Sequence, residues 1–129
     1  MDNIKARFRQ YQEAIETSNI VSKTDTNGTI TFVNDEFCKM SGFTREELIG
    51  ANHNIVRHPE VPKEVFARLW DTILAKKVHK GTIRNRTKDG RDVYLNTTII
   101  PILDLSGQIE EFLAIRYDVT DVINLNNEL

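Results

Sequence analysis

The sequence has little with which to span a membrane, cross-link itself or grip nucleic acid. No apolar run approaches the ~20 residues that a bilayer-crossing helix needs. The opening MDNIKARFRQ is polar from its second residue, so no export signal is expected and the cytoplasm is the default compartment. A lone cysteine, Cys38, excludes an internal disulfide and agrees with a reducing compartment. Positive and negative charges nearly cancel to −2, which removes the electrostatic reason to expect nucleic acid or an anionic membrane surface as the main partner. A phosphate loop, a Gly-x-Ser-x-Gly elbow and paired catalytic carboxylates are all missing, so no enzyme is expected within this segment. What is present is a chain of 129 residues, 40% hydrophobic and 28% charged, which suffices for one domain with a real core.

Periodicity orders that domain. Ile4, Phe8, Tyr11 and Ile15 form one stripe of a helix ending near Asn19, too short for a coiled coil on its own. IVSKTD and TITFVN flank Thr26-Asn27-Gly28, and an Asn-Gly pair between alternating segments predicts a hairpin. From Asn34 to Ala51 short helices are expected, with Asn34 or Asp35 capping EFCKM and Thr44 with Glu47 making a capping box for a piece that ends at Gly50. Cys38 reads as core filling on the first of them. Pro62 suits the first turn of a longer helix to about Lys77, whose core face carries Phe66, Leu69, Trp70, Ile73 and Leu74. Three strands follow, GTIRNRT, RDVYLNTTIIPIL and QIEEFLAIRYDVT, separated by Lys88-Asp89-Gly90 and Leu105-Ser106-Gly107. After a Thr120-Asp121 cap, Val122, Leu125 and Leu129 begin another helical stripe, as if the chain were cut from something longer.

The stretch that does not read as scaffold is ANHNIVRHPEVP, residues 51–62, with two histidines, an arginine, two asparagines and two prolines in one irregular connection. Helices inserted together into an antiparallel sheet must lie on one of its faces, which leaves a half-open cup between the layers. Alternation sends Asn85 inward with Ile83, and Thr82, Arg84 and Arg86 outward. In the last strand, Phe112 and Ala114 share a face with Arg116 and oppose Leu113, Ile115 and Tyr117; both faces are largely apolar, and alternation does not choose between them.

NHNIVRHPEVPKEVFARLW, the NRTKDG turn and the DVTD exit resemble the PAS domain family over about Ile20 to Asp121. The first two are closest to the FAD-binding, redox-sensing PAS domains of energy-taxis receptors of the Aer kind. The resemblance implies an α+β PAS fold: a five-stranded antiparallel sheet of order 2-1-5-4-3 with helices on one face, plus an N-terminal amphipathic helix. It divides the chain into a cap helix (1–19), a sensor domain (20–121) and the start of a signalling helix (122–129). It also chooses the face of Arg116. Aligned with the light-oxygen-voltage branch of the family, Asn85 falls on a flavin-contacting asparagine and Arg116 on the glutamine that senses the flavin N5. Val93, Leu95, Thr97 and Ile99 then face the cup. Tyr94, Ile100 and Ile102 face away, under a cover that the N-terminal helix of this chain or of a second one would supply. Gly50-Ala51-Asn52-His53 lacks the cysteine that light-driven thiol addition requires at this place.

The cofactor-binding set implied by the resemblance is Asn52, His53, Asn54, Arg57, His58, Glu60, Trp70, His79, Asn85, Leu95 and Arg116. His79 stands where Aer-like relatives carry a tryptophan, and Glu60 where aspartate is more common. Arg57 and His58, just before a helix N-terminus, would meet a pyrophosphate. Asn85 and Arg116, projecting into an apolar hollow, need partners. Within the protein these are Glu60 or another acid for Arg116, and backbone or water for Asn85. From outside, an isoalloxazine ring fits both. Two other readings fit the chain: a haem held by His53 or His58, and a cofactor-free dimerising adaptor. The expected function is thus a sensory input domain that reports redox state or oxygen through Asp118 and Asp121. Its output is a C-terminal chemoreceptor, histidine kinase or diguanylate cyclase, and the unit is a homodimer built on the N-terminal helix and outer sheet face.

Overall fold

The alternating segments pair into one antiparallel sheet in the computed structural model, which describes residues 2–128. Helix α1 covers Asp2–Ser18, and β1 (Ile20–Thr24) and β2 (Ile30–Val33) form the first hairpin. Then come α2 (Asp35–Ser41), α3 (Arg45–Leu48), a 3-10 turn (His53–Val56) and α4 (Lys63–Leu74). Strands β3 (His79–Arg86), β4 (Asp92–Leu103) and β5 (Ile109–Asp118) complete the sheet, and α5 (Thr120–Glu128) leaves it. The strand order is β2-β1-β5-β4-β3, so the last strand lies in the middle. Two consequences matter for the site. Residues of β5 are flanked on both sides by main chain, and β3 is left as a free edge.

Local chemistry sets the helix starts. The Asn34 side chain caps α2 by accepting from Phe37 N–H at 3.0 Å, and the same oxygen accepts from Val21 N–H. Its amide donates to the carbonyls of Glu16 and Asn19, so one buried residue ties α1 and β1 to α2. Thr44 and Glu47 form the expected reciprocal capping box on α3. Pro62 sits one position earlier than expected: it caps α4 from outside, and its carbonyl receives Val65 N–H. That helix also ends earlier, at Leu74, because the chain turns at Lys76, whose φ is +64°. Leu74, its last residue, is 53% exposed, while Leu69 and Ile73 are buried, each contributing roughly 1.5–3 kcal/mol. At the exit, the carboxylate of Asp118, rather than Thr120 or Asp121, accepts from Thr120 N–H, and Leu129 of the expected stripe lies outside the described residues.

The apolar interior is divided. One cluster gathers Ile30, Phe37, Leu48, Val56 and Leu95 under α2 and α3, with Cys38 half-buried against it. The other gathers Leu69, Ile73, Ile99, Phe112 and Ala114 under α4. On the opposite face of the sheet, Tyr94, Ile100 and Ile102 are half-buried. Helix α1 of this chain does not cover them, since its own stripe stays open to solvent, with Phe8 69% and Tyr11 64% exposed.

Candidate functional site

Against the second cluster lies a cavity of about 310 Å³, crossed on its helical side by residues 52–58. This segment is a strap fastened at both ends. At the front, His53 N–H donates to the Gly28 carbonyl at 2.9 Å, and Asn52 bridges to Thr29. Asn52 Oδ1 also accepts from Asn54 N–H, which starts the 3-10 turn. At the back, Arg57 forms an antiparallel bridge with Asn85 on the edge strand β3, and the Asn85 amide donates to the Val56 carbonyl at 3.1 Å.

Extended chain paired to a strand alternates its side chains, and that decides the fate of the Arg57-His58 pair. Arg57 shares the inner face with Asn85, lining the cavity with its guanidinium 4.0 Å from the centroid of the Phe66 ring. His58 is turned to the outer side, away from the cavity. There its Nε2–H donates to Asp92 Oδ1 at 2.9 Å, and its Nδ1 accepts from Glu60 N–H at 3.0 Å. Glu60 is also outside, accepting from Arg84 Nη1. Of the sequence-derived set, Asn52, His53, Asn54, Arg57, Trp70, Asn85 and Arg116 line the cavity. His58, Glu60, His79 and Leu95 do not. His79 opens β3 beyond the cavity wall, and Leu95 is sealed in the first apolar cluster.

Arg116 is the electrostatic centre. It lies on β5 opposite Thr97 of β4 and Ile20 of β1, and is 3% exposed. Its Nη2 donates to His53 Nε2 at 2.8 Å, and its guanidinium carbon stands 5.2 Å from the Phe37 ring centroid. Nη1 is buried with no partner among the described residues. The acid partner allowed for by the sequence is not there: Glu60 serves Arg84, and no Asp or Glu lines the cavity among the described residues. Burial without a counter-charge pushes the guanidinium pKa down to about 10. Burial of the His53 ring, with the Arg116 charge beside it, pushes that imidazole down to about 3, so it stays neutral and accepts. Ser22 Oγ, on the inner face of β1, is the other buried polar side-chain atom without a partner among the described residues. With Nε2 of His53 taken by Arg116 and both nitrogens of His58 engaged, neither histidine offers a free ring nitrogen of the kind that haem ligation uses.

The mouth was less legible. Thr24, Asn27 and Gly28 line it beside Trp70. The Asn-Gly pair signals only a turn, and nothing in it reports that Gly28, at φ +84°, lies under the Trp70 ring. Trp70 in turn meets Phe112 edge to face at 5.7 Å. Thr24 was available from alternation along β1, and Phe66 from its place on the α4 stripe.

A five-stranded sheet with this strand order, helices on one face and a strapped cavity between them defines a class of small sensory domains. The profile of the PAS fold matches residues 6–119, and the chain belongs to that family. It is 36% identical over 106 residues to the aerotaxis receptor of Escherichia coli K12, and 27% identical over 114 residues to the nitrogen fixation regulatory protein of Klebsiella pneumoniae. These alignments cover 82% and 88% of this chain but only 21% and 23% of the relatives' lengths. Among solved structures, a PAS domain from Colwellia psychrerythraea superposes with a TM-score of 0.80 at 23% identity, covering 88% of this chain and 98% of the other. A light-oxygen-voltage domain studied with a flavin analogue superposes at 0.77 with 18% identity, over 91% and 94% of the two chains. Both show the shared fold. No helix among the described residues is long and apolar enough to cross a membrane.

Proposed function

We propose that this PAS domain is a sensory input module that binds FAD and reports redox state or oxygen to an effector C-terminal to α5. The carrying observation is Arg116 Nη1, a buried cationic donor that has no partner, on the wall of a cavity that has no acid, among the described residues. Such a group favours a ligand edge with hydrogen-bond acceptors and developing negative charge. The volume, at the lower end for ligand sites, suits a three-ring head rather than a whole dinucleotide. Arg116 and Asn85 would hold the ring, Trp70 and Ile99 would wall it, and Asn52, Asn54 and Arg57 would meet the remainder at the mouth.

Bound FAD would supply a reversible two-electron couple whose reduced form is more negative near the ring. The chain's own part is to convert that charge into movement. Arg116 chooses between His53 and the ligand edge, and a shift of Arg116 strains the central strand β5. Two hydrogen bonds carry the end of β5 onward, from Val119 N–H to the Tyr94 carbonyl at 2.8 Å and from Tyr94 N–H to Thr120 Oγ1 at 2.9 Å, so displacement of β5 re-aims α5. The exposed stripe of α1 and the half-covered outer sheet face support a homodimer in which α1 covers the sheet of a second copy. A cytoplasmic setting fits the reading.

The test is the absorption spectrum of the purified chain, as isolated and after incubation with FAD and gel filtration. Flavin bands at one FAD per chain are expected, with affinity at least tenfold weaker in Arg116→Met. A colourless protein after incubation overturns the proposal, and so does a Soret band.

A further inference from the structure

His58, Asp92, Arg84 and Glu60 close into a ring on the outer side of the sheet edge. His58 Nε2–H donates to Asp92 Oδ1 at 2.9 Å. Asp92 Oδ2 receives Nη2 and Nε of Arg84 at 2.6 and 3.2 Å. Arg84 Nη1 donates to Glu60 Oε2 at 2.9 Å, and the Glu60 main-chain N–H returns to His58 Nδ1 at 3.0 Å. The ring joins three pieces of structure, since His58 and Glu60 belong to the segment leaving the strap, Arg84 to β3 and Asp92 to β4. His58 is 5% exposed although it faces away from the cavity, so a polar ring has been buried where no ligand can use it. A loop that only needed closing would not require this.

We infer that the ring is a clasp: it fixes the back end of the strap to the sheet edge and so positions Arg57 toward the ligand, with none of its four members touching that ligand. The inference rests on the FAD reading for its ligand and on geometry alone for its mechanics. The Arg57–Asn85 bridge is an isolated one on an edge strand, and one turned-in pair does not hold an irregular segment in register by itself. The clasp lies at the next pair of the same antiparallel register, His58 beside Arg84, and locks that register from the opposite face. Released, the strap would rotate and carry Arg57 off the cavity wall. His58 and Glu60, together with Asp92 and Arg84, are therefore positioning residues.

Asp92→Ala and Arg84→Met test this in the 129-residue chain, by amide hydrogen exchange without ligand and by FAD titration. Both side chains reach solvent, and neither variant opens the apolar core. Expected are amides of residues 54–61 exchanging at least tenfold faster, with β1 and β5 unchanged, and an FAD dissociation constant raised about tenfold, with absorption maxima and midpoint potential as in the parent. Arg116→Met, by contrast, should move the potential. Unchanged strap exchange in both variants, acceleration spread evenly over the sheet, or a shifted flavin spectrum each overturn the clasp. If the parent chain takes up no FAD, the function proposed above falls, and the exchange data alone decide the clasp.

Discussion

Arg116→Met should make the ligand-free domain more stable, although it removes the charged donor at the centre of the cavity. Burial lowers the guanidinium pKa from 12.5 to about 10. A depression of that size means that the charged form costs on the order of 3 kcal/mol in the folded chain relative to water. Methionine is of similar length, fills irregular space and carries no charge. Two losses offset the gain: His53 Nε2 is left without its donor, at about 1 kcal/mol, and the contact with Phe37 disappears, at about 1 kcal/mol. The balance favours the variant by about 1 kcal/mol, a rise of roughly 3–5 °C in Tm for a domain of this size. Urea denaturation of the ligand-free proteins, with unchanged m-value, measures it. A variant destabilised by more than about 1 kcal/mol would mean that the protein itself satisfies Arg116, and the case for a missing ligand would go with it.

His53 makes stability depend on pH. Its folded pKa of about 3 lies below the unfolded 6.5, so the unfolded chain binds the extra proton between those values; stability is full above pH 6.5 and drains away as pH falls toward 3, by on the order of 4 kcal/mol. His53→Gln, which keeps an acceptor for Arg116, should flatten that part of the urea-midpoint profile, and equal slopes in the two proteins would refute the assignment. Gly28→Ala places a Cβ 3.2 Å from the Trp70 ring at a φ of +84°, and should cost about 1–2 kcal/mol while shifting the emission of the chain's single tryptophan. An unchanged emission maximum would show that Trp70 does not seal the mouth there. Phe37→Ala, at a fully buried site, should cost about 3–5 kcal/mol in the same denaturation assay.

The sequence announced the frame more readily than the site. Asn-Gly at 27–28, the Thr44–Glu47 box and strict alternation in β4 each encode a local decision, and local decisions survive folding. Alternation even placed Asn85 inward, because its neighbours Arg84 and Arg86 have to reach water. Arg116 was harder: both faces of β5 are apolar, so only family resemblance chose its side, and its bond to His53, 63 residues away in the chain, has no local signature. His58 shows the opposite limit. Proximity in sequence suggested that it works beside Arg57, whereas pairing with an edge strand sends the two neighbours to opposite faces. Leu74 fits the helical stripe yet is exposed as the last residue of α4, since periodicity does not report where the layer beneath a helix stops.

The strap runs from the hairpin at one end to the free edge at the other, and so acts as a tie-rod across the domain. Its length, more than the breadth of the sheet, sets the girth of any guest that can lie beneath it. Relatives that accommodate bulkier molecules would then carry inserted residues between 51 and 62 while keeping their strands unaltered.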